Sequence, residues 1–427
     1  MKPVQRAIEV WADWAGMGRP QRVGTLYATP ARGKEIFSFE YAPEWLRSEY
    51  AQGLDPALLQ FTGPQYPAYD KANFGMFLDS APDRWGRLLQ DRREAQSARE
   101  EGRARRTLHE ADYLLGVYDG HRMGALRFRL EADGEFLDDN REFASPPWAS
   151  LRELEQASLE IEKEGAESDR NYRRWLRILI APGGSLGGAR PKAGVLDAQG
   201  RLWIAKFPSR GDTLDTGAWE LVIHSLAERA GVIVSQAAAR AFNTPRHTFL
   251  TRRFDRAEDG RRVHFASAMT LLNRKDGDDA SSGASYLELA ELIIKQGAYP
   301  DRDLEQLWRR ILFFVCVSNA DDHLRNHGFL LVQGGWALSP AYDMNPDPYA
   351  DGLKLNISDV ENAQDIGLVL EVAPYFRIPS RRAQDIVSEV VAAARGWREA
   401  AQKMGISRSE MESMERAFRV AEKSALR

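Results

Sequence analysis

Short runs of β-branched and aromatic residues, separated by turn residues, mark the first third of the chain. Val23-Gly24-Thr25-Leu26-Tyr27 and Ile36-Phe37-Ser38-Phe39-Glu40-Tyr41 read as strands, with Pro30-Ala31-Arg32-Gly33 as the turn between them. A further turn and strand is expected from Gly120 to Leu130, and helical pieces around Asp83–Gln96 and Leu108–Leu115. Residues 133–149, with Asp138-Asp139-Asn140 and Ser145-Pro146-Pro147, read as a linker. Ser150-Leu151-Arg152-Glu153 is a capping-box pattern that predicts a helix start, and the polar stretch Glu162–Arg170 interrupts that helical region. A glycine-rich loop at 183–188 precedes two predicted strands, Lys192–Leu196 and Arg201–Phe207, joined by the hairpin composition Asp197-Ala198-Gln199-Gly200. Residues 218–230 predict a helix with an apolar face and Gly231 as its stop. From about 255 the pattern is mostly helical, with strand pieces near Gly328–Val332 and Trp336–Leu338. Charge alternates with apolar residues at helical spacing over 381–427, where Ser407–Glu410 is a second capping-box pattern.

At 427 residues the chain exceeds one ordinary hydrophobic core, and 43% hydrophobic content is enough for a sizeable interior. With 58 basic against 62 acidic residues and a net charge of −4, bulk charge alone would not grip nucleic acid. Cys316 is the single cysteine, which excludes an intramolecular disulfide and a Cys-rich zinc site; its apolar surroundings predict a buried, inert thiol. The N-terminal Met1-Lys2-Pro3-Val4-Gln5-Arg6 lacks a signal peptide's apolar core, and no apolar stretch reaches the ~20 residues that span a bilayer. A cytoplasmic location with no membrane partner is the expectation.

Four pieces carry chemistry. Ser318-Asn319-Ala320-Asp321-Asp322-His323-Leu324-Arg325-Asn326-His327 places many polar side chains directly after the apolar Leu312–Val317. Phosphoryl transfer needs a carboxylate to orient the attacking hydroxyl and an amide oxygen to help hold Mg²⁺, and Asp321 and Asn326 have the spacing of the kinase catalytic loop. A strand pair turning at Gln333-Gly334-Gly335 would bring Asp343 back beside Asn326 as a Mg²⁺ carboxylate, although Asp343 also suits a turn before Pro346 and Pro348. The glycines of Gly183-Gly184-Ser185-Leu186-Gly187-Gly188 would let backbone amides approach phosphate, or serve as a connector. This is neither a Walker A loop, which would need Lys at the position of Ala189, nor a dinucleotide fingerprint, since a strand follows. Lys206 ends a predicted strand and would reach ATP phosphates, with Glu220 on the next helix as its ion-pair partner; the alternative is an exposed strand-end lysine. Glycine loop, strand lysine, helix glutamate, Asp-x₄-Asn and a later Asp follow the order of a bilobal kinase. The expected class is α+β, a bilobal kinase-like fold with a mixed β-rich N-terminal lobe and a mainly helical C-terminal lobe.

These motifs also resemble a known family, the HipA-type serine/threonine kinases, which are toxins of bacterial type II toxin–antitoxin modules. The resemblance rests on Phe74–Arg87, on Gly184–Lys192, on Asn319–His327 and on Ser339-Pro340-Ala341-Tyr342-Asp343. It implies an N-terminal β-rich subdomain over 1–135, a nucleotide-binding kinase N-lobe portion over 150–254 and a helical catalytic C-lobe over 255–427. It implies ATP and Mg²⁺ as cofactors, Asp321 as the catalytic aspartate, and Asn326 and Asp343 as metal ligands. Gly187, Gly188, Ala189, Arg190, Pro191, Lys192 and Lys206 would line the nucleotide, as would His323, Arg325, Asn326, Tyr342 and Asp343. Arg252-Arg253-Phe254 matches the adenine-holding segment, with Arg252 where some members carry an acidic residue. Ser185 matches an autophosphorylated serine; a dianionic phosphate there would repel the γ-phosphate of ATP and switch the enzyme off. The implied partners are a small helix-turn-helix antitoxin (HipB-like), through which any DNA contact would be indirect, and a protein substrate, by analogy an aminoacyl-tRNA synthetase.

Two competing readings remain. His323 and His327, four apart and flanked by Asp321 and Asp322, could share a metal as in a phosphohydrolase. The chain could also be a non-catalytic pseudokinase regulator, because fold alone never establishes activity.

Overall fold

A computed structural model describes residues 5–31, 33–140, 145–183 and 190–424, with the side chains of 181–183 left aside. The chain forms two units, one of residues 1–210 and 255–266, the other of 211–254 and 267–427.

In the first unit, β1 (Arg6–Ala12), β2 (Gln21–Ala31), β3 (Lys34–Tyr41) and β4 (Leu126–Arg129) make an antiparallel sheet in the order β3-β2-β1-β4. Alternation along β1 buries Ile8, Val10 and Ala12 completely, as the two-residue period of a half-buried strand requires. Phe39, Phe74, Phe77 and Phe128 interlock over that face with ring centroids 5.6–6.5 Å apart. Helices Gly75–Ser80 and Arg84–Glu100 follow, the latter close to its expected extent. Asp55, fully buried, accepts from the Met76 amide at 2.9 Å at the start of the first helix. Arg122, also buried, donates to the carbonyls of Ser80, Leu114, Val117 and Leu137, so one guanidinium ties four loop ends together.

The predicted capping box at Ser150 does not form. Ser150 closes a 3₁₀ turn, its amide bonded to Pro147 O at 2.9 Å, and Glu153 pairs instead with Arg174. The helix nevertheless runs over Leu151–Ile161 and, after the predicted interruption, a second spans Tyr172–Gly183. β5 (Lys192–Leu196) and β6 (Leu202–Lys206) form the expected hairpin, with Gly200 at φ +75° in its turn.

In the second unit, helix Thr216–Arg229 is capped by Asp215, which accepts from the Ala218 amide at 3.1 Å. A hairpin of β7 (Ala237–Ala241) and β8 (His247–Arg252), absent from the sequence reading, follows; β9 (Phe265–Ser267) lies where the chain passes between units. The helix Pro300–Val317 is the core element, buried continuously from Leu307 to Val317, Cys316 included. Helices Ile366–Val372, Ser380–Arg395 and Arg419–Lys423 pack on it, Trp397–Lys403 packs on helix Thr216–Arg229, and Arg408–Met414 lies between Trp397–Lys403 and Arg419–Lys423 in sequence. Trp397 stacks on Phe418 at 4.4 Å, with Trp219 beside both. Ser407 caps its helix as expected. Glu410 accepts from the Asp215 amide and the Trp219 indole rather than turning back to its own cap. No helix among the described residues is long and apolar enough to cross a membrane. The mixture of antiparallel hairpins and helices bears out the α+β expectation.

Candidate active site

Strand register decides where the two lysines point. Lys192 and Lys206 are direct cross-strand partners in the β5–β6 hairpin, so both side chains leave the same face. Both are buried, at 4% and 9% exposure. Like charges opposite one another repel, and a buried ammonium is costly unless compensated. Around it, the Trp85 indole donates to Lys192 O at 3.1 Å, Arg190 Nε to Phe207 O at 3.0 Å, and the Phe207 amide to Pro191 O at 2.8 Å. Ser185, Gly187, Gly188 and Ala189 lie outside the described residues.

In the second unit the helix Pro300–Val317 ends abruptly at Ser318, whose φ of 50° is left-handed. The segment that follows folds on itself. The His323 amide donates to Asp321 O at 3.0 Å, the Asn326 amide to His323 O at 2.8 Å, and Asn326 Nδ2 to Asp321 O at 3.1 Å. Asp321 presents its side chain to solvent, whereas Asn326 is mostly buried. Because the Asn326 amide nitrogen is committed, its oxygen is the atom left to face a cation.

A hairpin then returns the chain. β10 (Gly328–Val332) pairs with β11 (Gly335–Leu338) in the register Phe329↔Leu338, turning through Gly334 at φ +95° and Gly335 at φ +137°. The Ser339 amide donates to Gly328 O at 2.9 Å and the Tyr342 hydroxyl to Arg325 O at 2.5 Å. The Asn345 amide donates to Asn319 Oδ1 at 2.8 Å, and that of Asp347 to Ser318 O at 2.9 Å. Residues 339–347, Asp343 among them, are thus stitched along 318–328. Asp343 has a left-handed φ of 57°, a conformation that non-glycine residues adopt sparingly and mainly where surroundings enforce it. The Phe254 ring lies 5.3 Å from that of Tyr342, and Arg325 Nε is 3.5 Å from Asp276. Of the other expected residues, Arg252 bonds through its amide to Gln236 O at 2.9 Å, Arg253 is buried, His323 is half-buried, and Glu220 is buried on helix Thr216–Arg229.

The family model for the HipA-like C-terminal domain matches residues 184–398, half of the chain. The chain belongs to this family. HipA of Shewanella oneidensis, solved with HipB and its operator DNA, is 17% identical and superposes with a TM-score of 0.62, the match covering 94% of this chain and 95% of that one. A Haemophilus influenzae protein provisionally named a kinase is 27% identical over 116 residues, 26% of this chain. The chain spans about a third of the length of that relative, 34% of it. In this HipA-family chain the metal-sharing histidine arrangement is not formed. His327 is completely buried with Nε2 2.6 Å from Asp322, and among the described residues no group of three or more His, Cys, Asp or Glu is placed to hold a metal.

Beneath Asp321 and Asn326 lies a set of residues without a sequence-predicted catalytic role in a kinase, among them His327, expected there only to pack or hydrogen-bond. Asp322, 1% exposed, accepts at one oxygen from both the Tyr286 hydroxyl, at 2.7 Å, and His327 Nε2, at 2.6 Å. Arg310 shares the interior, donates to Ser339 O at 2.7 Å and balances the Asp322 charge. Burial pushes the Arg310 guanidinium down to about 10, Asp322 opposing that shift, and burial beside Asp322 raises the Tyr286 phenol well above its usual value. Asp322 was visible within the polar cluster; Tyr286, 36 residues away from it, offered no local signal.

Proposed function

We propose that the chain is an ATP- and Mg²⁺-dependent protein serine/threonine kinase that acts as the toxin of a toxin–antitoxin pair. The observation that carries this reading is the stitching of residues 339–347, among which Asp343 lies, along residues 318–328, among which Asp321 and Asn326 lie. Asp321 would accept the acceptor hydroxyl's proton and orient it for attack, a task that suits an exposed carboxylate. The donor set fits Mg²⁺, because the Asn326 amide oxygen and the Asp343 carboxylate are hard oxygen ligands. When bound, that ion would neutralise charge on the terminal phosphates. By the family resemblance Lys192 and Lys206 would contact ATP phosphate, and Phe254 beside Tyr342 would offer an aromatic surface suited to a nucleobase.

Further roles follow from the family. Ser185 would be the autophosphorylation site whose phosphate repels ATP. A HipB-like helix-turn-helix protein would be the antitoxin and carry the DNA contact, since the Shewanella structure holds HipA with HipB and operator DNA. A cytoplasmic protein, by analogy an aminoacyl-tRNA synthetase, would receive the phosphate. The test is incubation with labelled ATP and cell lysate, comparing wild type with Asp321→Gln and mapping the phosphosites. Transfer to serine or threonine should fall by roughly 10²–10⁴-fold in the variant, the usual worth of a positioned acid or base. Wild-type protein that binds Mg-ATP without transferring phosphate would favour the pseudokinase reading.

A further inference from the structure

We infer that Tyr286, Asp322 and His327 form a buried positioning set that fixes the distance between Asp321 and Asn326. The inference rests on the roles proposed above for those two residues. The geometry is a parallel bridge. Asp321 and Asn326 are five apart, and so are their C-terminal neighbours Asp322 and His327, which bond to each other at 2.6 Å in the interior. That bond closes the same span of chain from beneath, while Asn326 Nδ2 closes it from above on Asp321 O at 3.1 Å.

One carboxylate oxygen serves both His327 and Tyr286, so the bridge is also tied to a separate element. Tyr286 opens helix Tyr286–Gln296, whose start is fixed by the Ser285–Glu288 capping box and by the Tyr286 amide on Asn356 O at 2.9 Å. The Tyr286 and His327 rings meet edge to face at 5.6 Å, and the His327 carbonyl accepts from the Ala268 amide at 2.7 Å. With exposures of 0–1%, these three side chains touch no ligand and act through the residues beside them. Buried polar networks of this kind specify one arrangement, because in low dielectric an unmet partner is costly. Displacing a reacting group by about 1 Å can cost on the order of 10²-fold in rate.

The test uses the full chain with Mg-ATP, following ADP release for kcat and KM and labelled phosphate transfer to lysate protein. His327→Ala should lower kcat by roughly 10- to 100-fold with KM for ATP within about threefold. His327→Gln, whose amide can donate near the position of Nε2, should recover kcat to within about fivefold of wild type. Tyr286→Phe, which deletes one oxygen, should lie between them. Equal loss in His327→Ala and His327→Gln would reduce the residue to packing and overturn the proposal, as would wild-type kcat in every variant. If His327→Ala fails to fold, Tyr286→Phe decides: a lower kcat at unchanged KM supports the bridge, and an unchanged kcat removes it. A wild-type protein that transfers no phosphate would instead remove the roles of Asp321 and Asn326, and the bridge with them.

Discussion

A buried histidine resists protonation, and His264 is such a residue. It is 2% exposed, stacks on Trp14 at 5.7 Å, and burial pushes its pKa from 6.5 down to about 4. The unfolded chain takes up a proton at this residue below about pH 6.5, which the native state refuses until about pH 4. Unfolding is therefore favoured as pH falls through that window, and the contribution is fully present above it. The depression corresponds to about 3 kcal/mol. Denaturant midpoints at pH 7.5, 6 and 5 check this. Wild type should lose stability as pH falls, and His264→Phe should lose about 2 kcal/mol less between pH 7.5 and 5, the remainder appearing only as pH falls on through about 4. Lys192 and Lys206 make a different point: register alone puts both side chains on one face of the hairpin.

At the scale of elements, legibility followed turn chemistry and periodicity. The β5–β6 and β10–β11 hairpins were readable because glycines at Gly200, Gly334 and Gly335 adopt positive φ where the pattern places a turn. β7 was missed because Ala237-Ala238-Ala239-Arg240-Ala241 carries no β-branched or aromatic residue; pairing with β8, not propensity, makes it a strand. β1 did carry the signal, with Ile8, Val10 and Ala12 on one face, and was passed over. Ser150 and Ser407 show a capping pattern failing and succeeding: a preceding 3₁₀ turn holds Ser150 in helical backbone, whereas Ser407 enters extended. The Asp321–Asn326 spacing was legible because both residues lie in one short segment, while the contact to Tyr286 needs the folded chain. Gly217 yields a prediction at this scale. Helix Thr216–Arg229 packs so closely on β8 that a Cβ at Gly217 would sit 2.0 Å from His247 O, while Asp215 holds His247 through its amide and ring. Gly217→Ala should destabilise by about 1–3 kcal/mol or more, as overpacking does. Gly18→Ala, where a Cβ meets nothing within 4 Å, should leave the melting temperature unchanged.

For the whole molecule, the proposed chemistry makes stability depend on ligand. A chain with net charge −4 offers triphosphate no general attraction, so the proposed binding calls for local basic groups and a bound cation. A ligand that binds only the native state stabilises it by about 2.7 kcal/mol at a hundred times its dissociation constant. Mg-ATP at millimolar concentration should therefore raise the melting temperature of the full chain by several degrees. Chelating the metal with EDTA should remove most of that rise, and ATP without Mg²⁺ should give little. A double Lys192→Met, Lys206→Met variant should gain almost nothing from Mg-ATP, because the side chains proposed to contact its phosphates are gone. Asp343→Asn should lower the metal-dependent part of the shift, since one carboxylate charge facing the cation is lost. A shift that survives EDTA unchanged, or that persists in full in the double-lysine variant, would show that the nucleotide is held somewhere other than at these side chains.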